Sequence, residues 1–381
     1  MGRSGRILSV DALHPCVLPA RNLLGRLHAP CPITQLVHTR WTAKDGAPTE
    51  ILTLVRTTDG YLWLGTRWGR VRFDGVRFVQ FGPRGGDTLQ AGGVSSLLAV
   101  RDGSLWIVSL SGAVSRLRGR RVTTYGERDG LPAAFQLAES RSGTLVAGTA
   151  KGLARFSEGK WKDVGREWRY PGTESKAVWF DPEGTLWAET EDRVVYLPAG
   201  GGRFLDPGMP LAVTAQQAAF AQGKDGAIWM AEVNRSVHTV PKVGDRSPNT
   251  ELILGLLTLL IDRKEASGFG TVGDGLGRII DPSRIRERRI DGFGVEAERF
   301  TQKDGLLSDI VHALLEDREG NIWVAGDRGL ERFREGAFAP VATPRSVRPR
   351  FVFASRDTSI WTAAFSYTDF CGWARRAGKR S

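Results

Sequence analysis

One seven-residue phrase recurs along the whole chain. "DGYLWLG" spans Asp59–Gly65 and "DGSLWIV" spans Asp102–Val108. Close copies follow at Glu183-Gly-Thr-Leu-Trp187, Asp225-Gly-Ala-Ile-Trp229 and Glu319-Gly-Asn-Ile-Trp323. Ser142-Gly-Thr-Leu-Val146 has lost the tryptophan, Asp357-Thr-Ser-Ile-Trp361 has lost the glycine, and the copy at Asp262–Gly268 keeps only its flanks. The tryptophan-equivalent positions are 63, 106, 146, 187, 229, 268, 323 and 361, with steps of 43, 40, 41, 42, 39, 55 and 38 residues. A period of roughly 40–45 is that of a four-stranded propeller blade.

Helical repeats of similar length exist, so the local pattern has to decide. In the first unit "EILTLVRTTDG" is an apolar run ended by a turn, followed by "YLWLGT", "GRVRFDG" and "VRFVQFG". Each run is short and bounded by Gly, Asp or Pro, and none carries a helical stripe over three turns. Asp-Gly between two apolar runs predicts a hairpin of type I′, which needs positive φ at both central residues. The third strand of a unit usually opens on glycine, at Gly69, Gly112, Gly152, Gly275 and Gly329. The reading is all-β: about seven four-stranded blades over 32–341. Trp63, Trp106, Trp187, Trp229 and Trp323 are expected as flat plugs buried between blades, since an indole buries roughly 150–250 Å².

Such a ring must join its last blade to its first or leave open sheet edges. "QLVHTRWTAKDGAP" (35–48) reads as an outer strand followed by a turn, like "RVTTYGERDGLP" (121–132) and "ERFTQKDGLL" (298–307), but no inner strands precede it. Residues 37–41 are therefore expected to complete the blade containing Trp323. If "FVFASRDTSIWTAAF" (351–365) joins the ring there are eight blades, or it begins a second ring. Residues 342–381 read as a partial further repeat with a basic tail, and 1–31 as a disordered or degenerate leader without a clear export signal.

Composition bounds the partners. Lys and Arg outnumber Asp and Glu by 53 to 42, giving +11, but the basic residues are scattered and only the tail "ARRAGKRS" clusters. A diffuse basic surface fits this better than nucleic-acid binding, and no nucleic acid is expected. Cys16, Cys31 and Cys371 form no Cys-x-x-Cys pair, and His14, His28, His38, His238 and His312 are isolated in sequence. The pattern implies no metal, no cofactor and no disulfide framework. The longest apolar run, Leu252–Ile261, is too short for a bilayer, which takes about 20 residues, and reads as one inner strand. "GFGTVG" at 268–273 matches a dinucleotide fingerprint but stands where a second strand should end, not between a strand and a helix. The sequon Asn234-Arg-Ser236 implies nothing outside a eukaryotic secretory context. No catalytic set stands outside the repeat grammar. The candidates for lining a ligand are Lys44-Asp45, Arg128-Asp129 and Lys303-Asp304, on connections that cross one face of the ring, near its axial opening.

Residues 33–81 closely resemble the start of the two-component regulator propeller of bacterial sensor histidine kinases, and 300–335 resemble a later repeat of that array. The resemblance covers roughly 33–341. It implies an extracytoplasmic, non-catalytic sensor for a small molecule or saccharide, followed in the family by a triple-tyrosine β-sandwich, a membrane helix and a kinase core. None of these follows Trp361 here, so the expectation is a fragment without kinase activity, whose dimerisation would run through the missing C-terminal regions. An interaction scaffold is the alternative, and a propeller lyase or hydrolase a more distant one.

Overall fold

Each recurring phrase closes a hairpin between the first two strands of a blade. The turn differs from the expected one. In the first blade the amide of Gly60 donates to the carbonyl of Thr57 and the amide of Thr57 to that of Tyr61, both at 3.0 Å. Gly60 has φ 92°, whereas Asp59 is not among the residues with positive φ. The loop is thus three residues long, with one left-handed glycine rather than two left-handed residues. The Asp that opens the phrase serves as a local acceptor: the Asp102 carboxylate takes the amide of Ser104 at 2.8 Å.

The computed structural model describes residues 33–82, 92–211, 218–232, 236–242, 251–253, 256–264, 266–279, 289–291, 297–335, 349–354 and 360–364. Seven antiparallel blades form a ring, with the first strand of each innermost. Blade 1 comprises Ile51–Arg56, Leu62–Thr66, Gly69–Phe73 and Phe78–Phe81; blade 2, Val94–Ala99, Leu105–Ser109, Val114–Arg118 and Arg121–Tyr125; blade 3, Ala134–Glu139, Leu145–Thr149, Gly152–Ser157 and Lys160–Asp163. Among the described residues blade 4 has three strands, Val178–Phe180, Leu186–Glu189 and Val194–Leu197, and its edge is met by the bridges Arg193↔Pro210 and Tyr196↔Leu205. Blade 5 comprises Ala219–Gln222, Ile228–Glu232, Ser236–Val240 and Glu251–Ile253; blade 6, Leu256–Ile261, Ser267–Thr271, Leu276–Ile279 and Ala297–Phe300. Arg289–Asp291, inserted before the last strand of blade 6, reaches back to pair in parallel with the edge of blade 5. That insertion lies within the longest step of the repeat. The helical content of the described residues is four three-residue 3-10 turns.

Blade 7 closes the ring. Val311–Glu316, Ile322–Gly326 and Gly329–Arg334 are joined by Val37–Trp41, in the register Val37↔Arg334 to Trp41↔Leu330. The remote outer strand fell where the unmatched strand in the sequence placed it. One strand assignment is corrected: the run Leu252–Ile261 is not a single inner strand. Leu252 pairs with Val237 as the outer strand of blade 5, while Leu256 pairs with Thr271 as the inner strand of blade 6. The run is longer than the six residues of an inner strand, and its two halves serve neighbouring blades.

The core is seven separate plugs, one between each pair of blades. Trp63 packs on Val94, Leu97 and Ile107 of blade 2, Trp106 on Leu137 and Ala147 of blade 3, and Trp187 on Ile228 and Met230 of blade 5. Trp229 meets blade 6, and Trp323 meets Ile51, Leu64 and Phe73 of blade 1. All five tryptophans are at most 6% exposed. Blades approach closely at the glycine that ends many second strands. A Cβ on Gly148, next to the end of the second strand of blade 3, would lie 2.6 Å from the carbonyl oxygen of Ser175 at the start of blade 4, so only glycine fits. Gly270 of "GFGTVG" has the same role against Val311, in a strand paired on both sides, so the fingerprint is part of the sheet.

Residues 336–381 form a second compact unit. In it Pro349–Ala354 pairs with Ile360–Ala364, the hairpin of the last repeat phrase. The leader 1–31 and all three cysteines lie outside the described residues.

Candidate functional site

In a four-stranded antiparallel blade the second-to-third turn and the connection to the next blade fall on the same face. Here a girdle of backbone hydrogen bonds ties that face together. The amide of Glu50 donates to the carbonyl of Asp327 at 3.1 Å, Ala134 to Gly112 at 2.9 Å, and Ser175 to Thr149 at 2.9 Å. Each links the start of one blade to a turn of the blade before it.

All six ligand-lining candidates lie on this face, in three 3-10 turns: Ala43–Asp45, Glu127–Asp129 and Gln302–Asp304. Asp45 accepts from the amide and hydroxyl of Thr42 at 2.8 and 2.9 Å, and Asp304 from those of Thr301 at 2.9 and 2.8 Å. These bonds from the backbone and the threonine hold both carboxyls below the usual range. Asp129 accepts from the amide of Gly126 at 3.0 Å. The acids are thus anchored in their own turns, while Lys44, Arg128 and Lys303 are exposed. Two of the turns abut an outer strand: a Cβ on Gly130 would lie 2.3 Å from the Trp161 carbonyl oxygen, and Arg40 donates to the Gly305 carbonyl at 3.0 Å. This sets those two turns toward the rim. Each serves a different junction between blades.

Two buried acids on the same face had no place in the sequence reading. Glu189 ends the second strand of blade 4 and Glu232 that of blade 5; they are 2% and 3% exposed. Glu189 accepts from the amide of Ala218 at 2.9 Å, so a side chain here makes the link to blade 5 that backbone makes elsewhere. Burial pushes its carboxyl up to about 7 against the pull of that amide and of Lys176, and the charge of Glu232 adds to the rise. Glu232 meets His238 at 3.1 Å through Oε1, while its Oε2 is buried without a hydrogen-bond partner among the described residues. The described histidines, isolated in sequence, each find a carboxylate in space: His38 meets Glu331 and His312 meets Asp327, both at 2.8 Å. The sequence signal for the two acids was an acid ending an apolar run, in "LWAE" and "IWMAE", where blades 1, 3 and 6 carry threonine at or next to the same place. Among the described residues no three His, Cys, Asp or Glu are grouped to hold a metal ion, and no helix is long and apolar enough to cross a membrane.

Residues 305–328 match the family model of the two component regulator propeller. No curated protein matches the chain in sequence. Among solved structures it is similar to the extracellular domain assigned to a hybrid two component system of B. thetaiotaomicron: TM-score 0.65, 13% identity, over 86% of this chain and 47% of that one. A second such domain from the same organism, assigned to a one component system, gives 0.60 and 14% over 86% and 45%. The chain thus spans about half the length of these relatives. Virginiamycin B lyase from Staphylococcus aureus gives 0.58 and 15% over 78% of this chain and 98% of that one. At these identities it is the fold that is shared. Residues 305–328 identify the chain as carrying the two component regulator propeller repeat, in the blade that closes a seven-bladed ring.

Proposed function

We propose that the ring is the non-catalytic, extracytoplasmic sensor of a two-component system, and that it takes a small molecule or saccharide on the face of the connecting turns. The observation that carries this reading is the family repeat in blade 7, on a fold shared with extracellular two-component domains. Lys44, Arg128 and Lys303 supply exposed cations on that face, and Asp45, Asp129 and Asp304 hold the turns that present them. Glu189 and Glu232 add buried acceptors that suit hydroxyl donors of a saccharide. Signal output and any homodimer contact then belong to regions C-terminal to the ring.

A thermal-shift screen of saccharides, peptides and ions tests the reading. A ligand that binds only the native state stabilises it by about 2.7 kcal/mol at a hundred times its Kd. The expected result is a saturable rise in Tm that Lys44→Ala combined with Lys303→Ala weakens. No shift across the panel, or turnover of a panel member, would count against it.

A further inference from the structure

Blade 6, like blade 3, lacks the tryptophan that the other five blades carry in the second strand. Gly268 stands in its place, and a Cβ there would meet nothing nearer than Leu314 at 3.7 Å. A cavity of about 300 Å³ occupies the gap between blades 6 and 7. Leu260, Leu276 and Leu314 give it apolar walls, and the two cations at its lining, Arg263 and Lys264, are paired with Glu316 and Glu335 of the same lining.

The polar groups that serve an indole in the other blades are still present. In blades 4 and 7 the first residue of the hairpin turn is an aspartate that accepts the indole N–H: Trp187 to Asp181 at 3.1 Å and Trp323 to Asp317 at 2.8 Å. Asp262 is the same residue in blade 6. Its Oδ1 accepts from the amides of Lys264 and Ala266 at 2.8 and 2.9 Å, as Asp317 does from those of Glu319 and Asn321. Its Oδ2, which would take the indole, lies instead 3.4 Å from Arg278. Arg278 is itself the cross-strand partner of Gly268. At that position Arg116 lies over Trp106 at 5.5 Å and Arg332 over Trp323 at 5.3 Å. Blade 3 is an internal control. There Val146 replaces the tryptophan, and the cross-strand Arg155 lies over Trp168, supplied by a loop to the same plug.

We propose that the gap between blades 6 and 7 binds a planar heteroaromatic ligand with a ring N–H, of the indole class, in place of the tryptophan that blade 6 lacks. The ring N–H donates to Asp262 Oδ2 and the guanidinium of Arg278 covers a ring face. An apolar cavity of about 150 Å³ holds benzene, so this one has room for a bicyclic ring. The site is separate from the face of the connecting turns, and the two readings stand or fall independently.

Calorimetric titration of the full chain with indole and with benzofuran, which has the same shape but no N–H, tests the proposal. The expected result is one-site binding of indole, with benzofuran weaker by about ten- to a hundredfold for the lost bond to a carboxylate. Gly268→Trp should raise Tm and abolish binding. Leu314→Phe, which fills the gap from the opposite wall, should abolish binding too and decides the matter if Gly268→Trp does not fold. No heat from indole, equal binding of benzofuran, or binding retained when the gap is filled would each overturn it.

Discussion

The strand pairing that closes the ring carries an aromatic contact between the two ends of the array. Trp41, on the outer strand of blade 7, stacks on Trp323 with centroids 5.5 Å apart and planes 20° apart, and Phe73 of blade 1 meets both rings. Trp323 is 6% exposed, so Trp323→Ala should cost about 3–5 kcal/mol, as large-to-small core changes do. Asp317 loses the indole N–H but keeps Asn321 Nδ2 at 2.8 Å, so the orphaned carboxylate adds little. Trp41 is half-buried, and Trp41→Ala should cost less, about 1–3 kcal/mol. If the two rings support each other across the closure, the double variant should be less destabilised than the sum of the singles by about 0.5–1.5 kcal/mol. Urea denaturation of the four proteins measures the cycle, with the m-value checking that the unfolded states are comparable. Strict additivity, or a Trp323→Ala cost below 1 kcal/mol, would refute a role for this contact in the closure.

Three further outcomes follow from the packing. Trp63→Ala, at the plug between blades 1 and 2, should cost about 3–5 kcal/mol by chemical denaturation. Gly326→Ala should cost about 1–3 kcal/mol by the same measure, because its methyl must displace the backbone of Ile310, whereas Ala325→Gly should not reproduce that strain. Glu189 has a folded-state carboxyl raised from 4.5 to about 7 by burial, so its stabilising contribution is present in acid and is lost as pH rises through that window. Wild type should lose roughly 3 kcal/mol more than Glu189→Gln between pH 4.5 and 8 in denaturation curves, and parallel profiles would show that Glu189 is solvated.

The recurrence of one phrase was enough to read the blade, its hairpin and the buried tryptophans, and the unmatched outer strand at 35–48 gave the closure of the ring. This follows from the physics of a repeat: each blade cannot bury its faces alone, so the units share a turn and most share a plug. The missing tryptophan at Gly268 was equally visible. What that absence leaves behind was not, because a gap is a property of two blades and only their packing shows whether a loop refills it, as Trp168 does beside Val146. The same holds for Glu189 and Glu232. In sequence they are acids at strand ends; burial against the next blade raises the Glu189 carboxyl and leaves Glu232 Oε2 without a partner among the described residues. The type of hairpin turn and the division of Leu252–Ile261 between two blades also awaited the fold, since backbone dihedrals and strand partners are settled by pairing across the sheet rather than by composition along the chain.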